Sequence, residues 1–252
     1  MTTRGKPARA IFLLSVLLNA IAGLWILKTA YPGVSARWGV VASANLSQDP
    51  PARTMILNGL IRSHSYESYL EIGQGRREGN FDLIRCRTRI GVDPDPTLHA
   101  AYQMTSDEFF AKNPASFDLI FIDGLHRADQ VERDILNSLR VLNDQGTIVV
   151  HDCNPITEAL QVVPRQADDW TGDVWKAWVR LRASRADLEM FVVDIETGCG
   201  IIRRGRQETV SLPEQLDYQP LEQHRKQLLN LLSADSGLEK LLGPSGRGPR
   251  DH

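Results

Sequence analysis

Two short stretches place a carboxylate and an imidazole together at the end of an apolar run. They are Phe121-Ile122-Asp123-Gly124-Leu125-His126 and Val149-Val150-His151-Asp152-Cys153-Asn154-Pro155. Carboxylate oxygens with imidazole nitrogens form a donor set suited to Mg2+, Mn2+ or a harder transition ion, here Asp123, His151 and Asp152 with His126 beside them. The same groups could instead move a proton, with His126 or His151 as general base and Asp123 as its partner. A simpler assignment has Asp123 and Asp152 only capping the helices that follow.

A second constellation binds rather than reacts. Tyr-Leu-Glu-Ile-Gly-Gln-Gly (Tyr69 to Gly75) carries an apolar run into an acidic residue and a glycine pair. About twenty residues later a second apolar run ends in Asp93. Glycine lets the backbone turn sharply and lets a ligand approach it, while a carboxylate at the next strand end accepts ribose hydroxyls. Glu71, Gly73, Gly75 and Asp93 therefore predict a nucleoside cradle, although Gly73, Gly75 and Gly79 space as GxGxxxG rather than the dinucleotide GxGxxG. Ser106-Asp107 opens a helix as an N-cap with an acidic first turn, and in such a site would lie beside the adenine. Near the tryptophan-rich stretch Trp170 to Trp178, Thr171 or Asp173 can cap a helix that packs Val174, Trp178 and Leu181 inward. Asp173, Trp175 and Lys176 at its start could line a substrate pocket.

These residues need strands that end along one edge. Short apolar runs rich in β-branched residues occur at Tyr69–Ile72, Arg89–Val92, Leu119–Ile122 and Thr147–Val150, as expected of parallel strands covered on both faces. Helical spacing is clear over Ala52–Ser63 and His126–Leu142, and Asp144-Gln145-Gly146 reads as a turn. Met190–Ile195 and Gly200–Arg203 flank Thr197-Gly198 as a hairpin. The pattern predicts an α/β fold with a mostly parallel, Rossmann-like sheet and an antiparallel terminal hairpin. An amphipathic helix is expected over Leu221–Leu232 within a tail of residues 206–252.

The chain has 252 residues, 42% hydrophobic, with a net charge of −2. That supports one medium domain with a full core and no attraction to nucleic acid. Three scattered cysteines make neither a disulfide framework nor a CxxC metal site, so a reducing compartment is expected. Ala10–Leu27 is apolar apart from Ser15 and Asn19, with Arg4, Lys6 and Arg9 before it and Lys28 after. At roughly 18 residues it can just span a thin bilayer as an N-terminal helix. A cleaved signal peptide ending near Val34-Ser35-Ala36, or an interfacial helix, are the alternatives. The preceding basic residues favour an inside N-terminus, whereas cofactor supply favours a cytoplasmic catalytic domain on an inner-membrane anchor. The resulting division is an anchor over 1–31, a linker over 32–51, a catalytic domain over 52–205 and the tail.

Tyr-Leu-Glu-Ile-Gly, Gly-Val-Asp-Pro, Ser-Asp-Glu-Phe-Phe, Phe-Ile-Asp-Gly-Leu-His, His-Asp-Cys-Asn-Pro and Gly-Asp-Val-Trp-Lys-Ala, in this order, resemble the class I S-adenosylmethionine-dependent methyltransferases. The likeness is to the bacterial branch of macrocin O-methyltransferases and cephalosporin-hydroxylase-like proteins, and spans roughly Ala52 to Gly205. It implies a seven-stranded sheet, with Glu71, Gly73 and Gly75 at the methionine end of S-adenosylmethionine and Asp93 at the ribose. It also implies a divalent metal between Asp123 and an acidic pair that here reads His151-Asp152, a departure from the family pattern. The expected reaction is O-methylation of a small-molecule acceptor such as a sugar, a glycolipid or a secondary metabolite, with a second copy of the chain as a candidate partner. An oxidoreductase using a nicotinamide nucleotide, or a membrane-tethered module that binds a nucleoside without chemistry, are the rivals.

Overall fold

The computed structural model describes residues 50–166 and 168–242. The apolar segment Ala10–Leu27 and most of the predicted linker lie outside the described residues, as does the end of the tail. Among the described residues no helix is long and apolar enough to cross a membrane.

In chain order the elements are α1 (Ala52–His64), β1 (Ser68–Ile72), β2 (Thr88–Val92), α2 (Ser106–Lys112), β3 (Phe117–Ile122), α3 (Ala128–Val141), β4 (Leu142–Val150), α4 (Val174–Ser184), β5 (Leu188–Val193), β6 (Cys199–Arg204), α5 (Tyr218–Leu229), β7 (Leu231–Leu232) and α6 (Ala234–Leu242). The strands form a seven-stranded sheet in the order β2-β1-β3-β4-β6-β5-β7. Only β6 runs against its neighbours, giving the expected antiparallel hairpin with β5.

The apolar composition of the strands follows from this layering. One face, carrying Leu70, Ile72, Ile120, Ile122, Ile148 and Val150, packs against α3 and α4. Tyr69, Phe121 and Val149 on the other face are equally buried, as are Ile56, Leu57 and Leu60 of α1. Trp178 of α4 is fully buried, donates its indole N–H to Leu229 O at 3.1 Å, and lies over Gly200 of β6, where a Cβ would meet the ring at 2.4 Å. Trp178→Ala should cost about 3–5 kcal/mol, because the void lies between two rigid layers that cannot close on it. Denaturant unfolding would measure this, and a cost under 1 kcal/mol would refute the packing account.

Two local expectations are corrected. Leu142 leaves the helix and opens β4, and Asp144-Gln145-Gly146 lies in a register shift inside that strand rather than in a turn: pairing jumps from Phe117↔Leu142 to Leu119↔Thr147. Helix α5 ends at Leu229, and Leu231-Leu232 form an edge strand beside β5 instead of a last helical turn, because Asn230 takes a left-handed conformation. Pro50–Gly243 form one compact unit, with Leu221 and Leu229 in its core.

Candidate active site

Parallel pairing brings four strand ends into one line. Ile72 pairs with Val92 and Ile122, and Ile122 with Val150; antiparallel β6 brings its start, Gly200, beside Val150. The residues just beyond, Gly73, Asp93, Asp123 and His151, therefore share the carboxyl edge of the sheet, the edge at which open α/β sheets bind ligands.

On one half of this edge lies the cradle. Gly73 (φ +79°) donates to Val92 O at 2.9 Å and passes so close to β3 that a Cβ would meet Asp123 O at 2.3 Å. Gly75 (φ +56°) faces open space. The Asp93 carboxylate accepts from Gly75 N–H and Asp95 N–H, each at 3.0 Å. Each oxygen keeps a further lone pair for a ribose hydroxyl, so the residues present fit an adenosyl cofactor. Glu71, in β1 two residues before Gly73, is 1% exposed and accepts from Tyr69 OH at 2.6 Å and from Asn80 Nδ2 at 3.2 Å. Its carboxylate is therefore buried and hydrogen-bonded within the chain.

Burial, only partly offset by these hydrogen bonds, raises Glu71 from 4.5 to about 7. A group raised in the folded state contributes stability that is full below its unfolded pKa and is lost as pH rises through the folded one. Glu71 should therefore withdraw about 3 kcal/mol between pH 4.5 and about 7. Glu71→Gln should flatten that part of the stability profile. Urea midpoints measured across the interval test this, and parallel profiles for the two proteins would refute it.

On the other half lies a cluster of acids and bases. His126 Nε2 is 3.3 Å from Asp123 Oδ1, and its Nδ1 is 3.2 Å from Asp152 Oδ2 and 3.1 Å from Trp170 O, with the Trp170 ring stacked on it. His151 Nδ1 lies 3.4 Å from Asp123 Oδ1 and 3.3 Å from Asp152 Oδ2. Its Nε2 meets Glu196 Oε2 at 2.9 Å. Burial alone would lower His151, but Asp123, Asp152 and Glu196 hold it well above the usual histidine range. Burial would likewise raise Asp123, yet the flanking His151 and His126 keep it well below the usual carboxylate range. His126 is raised in the same way by Asp123 and Asp152 against its burial.

Asp123, His126 and Asp152 each offer one ligand atom within 4.8 Å of the others. This O/N set fits a hard divalent cation. The set expected from the sequence is Asp123, His151 and Asp152; the group whose ligand atoms come together is Asp123, His126 and Asp152, and His151, like His126, has both nitrogens facing carboxylates.

The remaining expected site residues are placed as follows. Thr105, one residue before Ser106, is the N-cap of α2, in a capping box with Glu108. Ser106 Oγ and Asp107 Oδ1 accept from Gln130 of α3. Asp173 does not cap its own helix: its Oδ1 accepts from Ala128 N–H at 2.7 Å and caps α3. Thr171 donates instead to Leu160 O. Trp175 is fully buried, with its indole N–H on Gln161 Oε1, so it packs in the core rather than lining a pocket. Lys176 stays half-buried, with its amine over the Trp175 ring.

Sequence reasoning missed Glu196 and Arg53. Arg53 Nη1 donates to Glu196 Oε2 at 2.9 Å, and these charges, with His151, pull Glu196 down to about 2 against the effect of burial. Neither residue sits in a motif, and only the folded sheet brings the β5–β6 turn and the start of α1 to the same edge.

Residues 54–153 match the family model described as a methyltransferase domain. No curated protein matches the chain. Among solved structures it is similar to the S-adenosylhomocysteine-bound methyltransferase PaMTH1 of Podospora anserina, at 11% identity over 81% of this chain and 99% of that one, with a TM-score of 0.46. It is also similar to the O-methyltransferase TomG of Streptomyces achromogenes (15%, 60% and 79%, 0.46) and to an O-methyltransferase of Bacillus cereus (13%, 73% and 96%, 0.46). Residues 54–153, which carry the cradle and the strand ends at Asp123 and His151, thus match a methyltransferase domain, and the motifs they hold are those that resemble the S-adenosylmethionine-dependent class.

Proposed function

We propose that this chain transfers the methyl group of S-adenosylmethionine to an oxygen of a small polar acceptor, a sugar, glycolipid or secondary metabolite. The observation that carries the reading is the alignment, on one sheet edge, of the Gly73–Gly75–Asp93 cradle with the Asp123, His126, His151 and Asp152 cluster. The cofactor supplies an electrophilic methyl carbon. The protein's part is then to hold the acceptor in line with it and to remove the acceptor's proton.

Asp93 would hold the ribose, Gly73 and Gly75 would let the chain pass close to the methionine end, and Ser106 and Asp107 would border the adenine. His126 is a candidate base: a proton on Nδ1 satisfies Trp170 O and Asp152, and Nε2, 3.3 Å from Asp123 Oδ1, would take the acceptor's proton and share it with that carboxylate. A divalent cation held by Asp123, His126 and Asp152 would instead lower the acceptor's pKa. Of the expected substrate set, Lys176 and Asp173 are half-buried and Trp175 is fully buried.

Burial lowers His126, but the neighbouring carboxylates raise it on balance, so its free-base form appears at higher pH than for an ordinary histidine. Methyl transfer through His126 should climb with pH through and beyond the ordinary histidine range. A flat profile over that range would remove His126 as the base.

The test of the class is mass spectrometry of ligand co-purified with the protein, together with calorimetry using S-adenosylhomocysteine. Failure of that molecule to bind would overturn the proposal. The sequence of Ala10–Leu27 supports a membrane anchor joined to the domain by a connector, and the supply of the cofactor, against the flanking charges, favours a domain on the cytoplasmic side. Recovery of the full chain in the soluble fraction would refute the anchor.

A further inference from the structure

The family match stops at Cys153, yet two side chains that complete the charged cluster come from the β5–β6 turn, each 45 residues beyond the group it touches. We infer that this turn, Asp194–Gly198, is a positioning element of the reaction site, in which Glu196 fixes the His151 ring and Thr197 fixes the Asp152 carboxylate. The inference rests on the methyl-transfer reading for what the cluster does, and on the geometry alone for how the cluster is held.

His151 is gripped at both ends. Its Nδ1 faces Asp123 and Asp152, and Glu196 meets its Nε2 at 2.9 Å. A ring held this way cannot rotate without giving up a charge-assisted hydrogen bond. Glu196 is itself held, since Arg53 donates to its Oε1 from the backbone at 3.2 Å and to its Oε2 from the guanidinium at 2.9 Å. The first turn of α1 is therefore tied to the site through Glu196.

Thr197 acts on the neighbouring residue. Its hydroxyl donates to Asp152 Oδ1, leaving Oδ2 toward His126 and His151. Asp152 has φ +61°, an uncommon conformation for a residue other than glycine, and the turn braces it through the backbone that follows. Cys153 N–H donates to Gly198 O at 3.1 Å and Asn154 N–H to Thr197 O at 2.7 Å. Asn154 Nδ2 reaches Asp194 Oδ1 at 3.0 Å. Gly198 (φ +90°) permits this approach, since a Cβ there would meet Asn154 N at 2.8 Å.

A turn that only reversed the chain would leave its polar side chains in solvent. Here the Glu196 side chain is 25% exposed and turned onto the site, while its backbone keeps a left-handed conformation (φ +54°).

The test uses the full-length protein labelled with 15N-histidine, and reads the imidazole nitrogens and N–H protons by NMR. Glu196→Gln should speed solvent exchange of the His151 Nε2 proton at least tenfold. Thr197→Val should shift the Nδ1 signals of both His151 and His126, and Thr197→Ser should restore them. Affinity for S-adenosylhomocysteine should change less than twofold in every variant, because the cradle lies on the other half of the edge. Ring spectra unchanged by Glu196→Gln and Thr197→Val would overturn the inference, and so would failure of Thr197→Ser to restore the signals. If S-adenosylhomocysteine does not bind the intact protein, the methyl-transfer reading fails while the ring spectra still decide the role of the turn.

Discussion

Asp93→Ala should weaken S-adenosylmethionine binding at least about a hundredfold, near 3 kcal/mol. Two effects combine. The ribose loses a charged acceptor, and hydrogen bonds to charged groups carry about 1.5–3 kcal/mol each. The cradle also loses its tie, because the same carboxylate holds Gly75 N–H and Asp95 N–H at 3.0 Å. Asp93→Asn should recover part of the loss, since one oxygen remains to accept. Titration calorimetry with S-adenosylmethionine measures both. An unchanged affinity in Asp93→Ala would remove the nucleoside assignment, and with it the reaction proposed.

Gly73→Ala is the second large effect, and it separates the two glycines of the turn. A Cβ on Gly73 would stand 2.3 Å from Asp123 O and 2.3 Å from Gly124 Cα, on a backbone at φ +79°. Both neighbours are main chain and cannot swing away, so β1 must retreat from β3 at the point where cradle meets cluster. Strain and displacement together should cost about 2–5 kcal/mol. In a domain of this size that lowers the melting temperature by roughly 5–15 °C. Gly75→Ala meets nothing within 4 Å and carries only the left-handed penalty, about 1–2 kcal/mol. Melting curves of the two variants, with and without S-adenosylhomocysteine, test the distinction. Equal losses would show that the close approach of β1 to β3 does not matter.

Motifs were legible wherever consecutive residues share one strand and its end. Tyr69–Gly75 and Phe121–His126 read correctly as strand-to-turn units because local spacing sets both burial and direction. Reading was poorer where a partner decides the outcome. Thr171 and Asp173 precede α4 as any N-cap would, yet Thr171 bonds Leu160 and Asp173 caps α3, because packing of α3 on α4 puts the bare Ala128 N–H nearer to it. Leu231-Leu232 continue a helical apolar pattern, yet an open edge of β5 gives them a ladder. Trp175 begins a helix in a motif of binding-site character, but its side of α4 faces the core.

Local spacing along the chain specifies the sheet, its edge and the identity of most charged groups on that edge. Strand periodicity, glycine turns and acidic strand ends are local properties of the chain. Which of those groups touch depends on how the elements pack. His126 and His151 both meet Asp123 and Asp152, and Glu196 and Arg53, 143 residues apart in the chain, come together beside them. The physical reason is that charge pairing depends on distances of a few ångströms between elements, and nothing in local spacing encodes those distances.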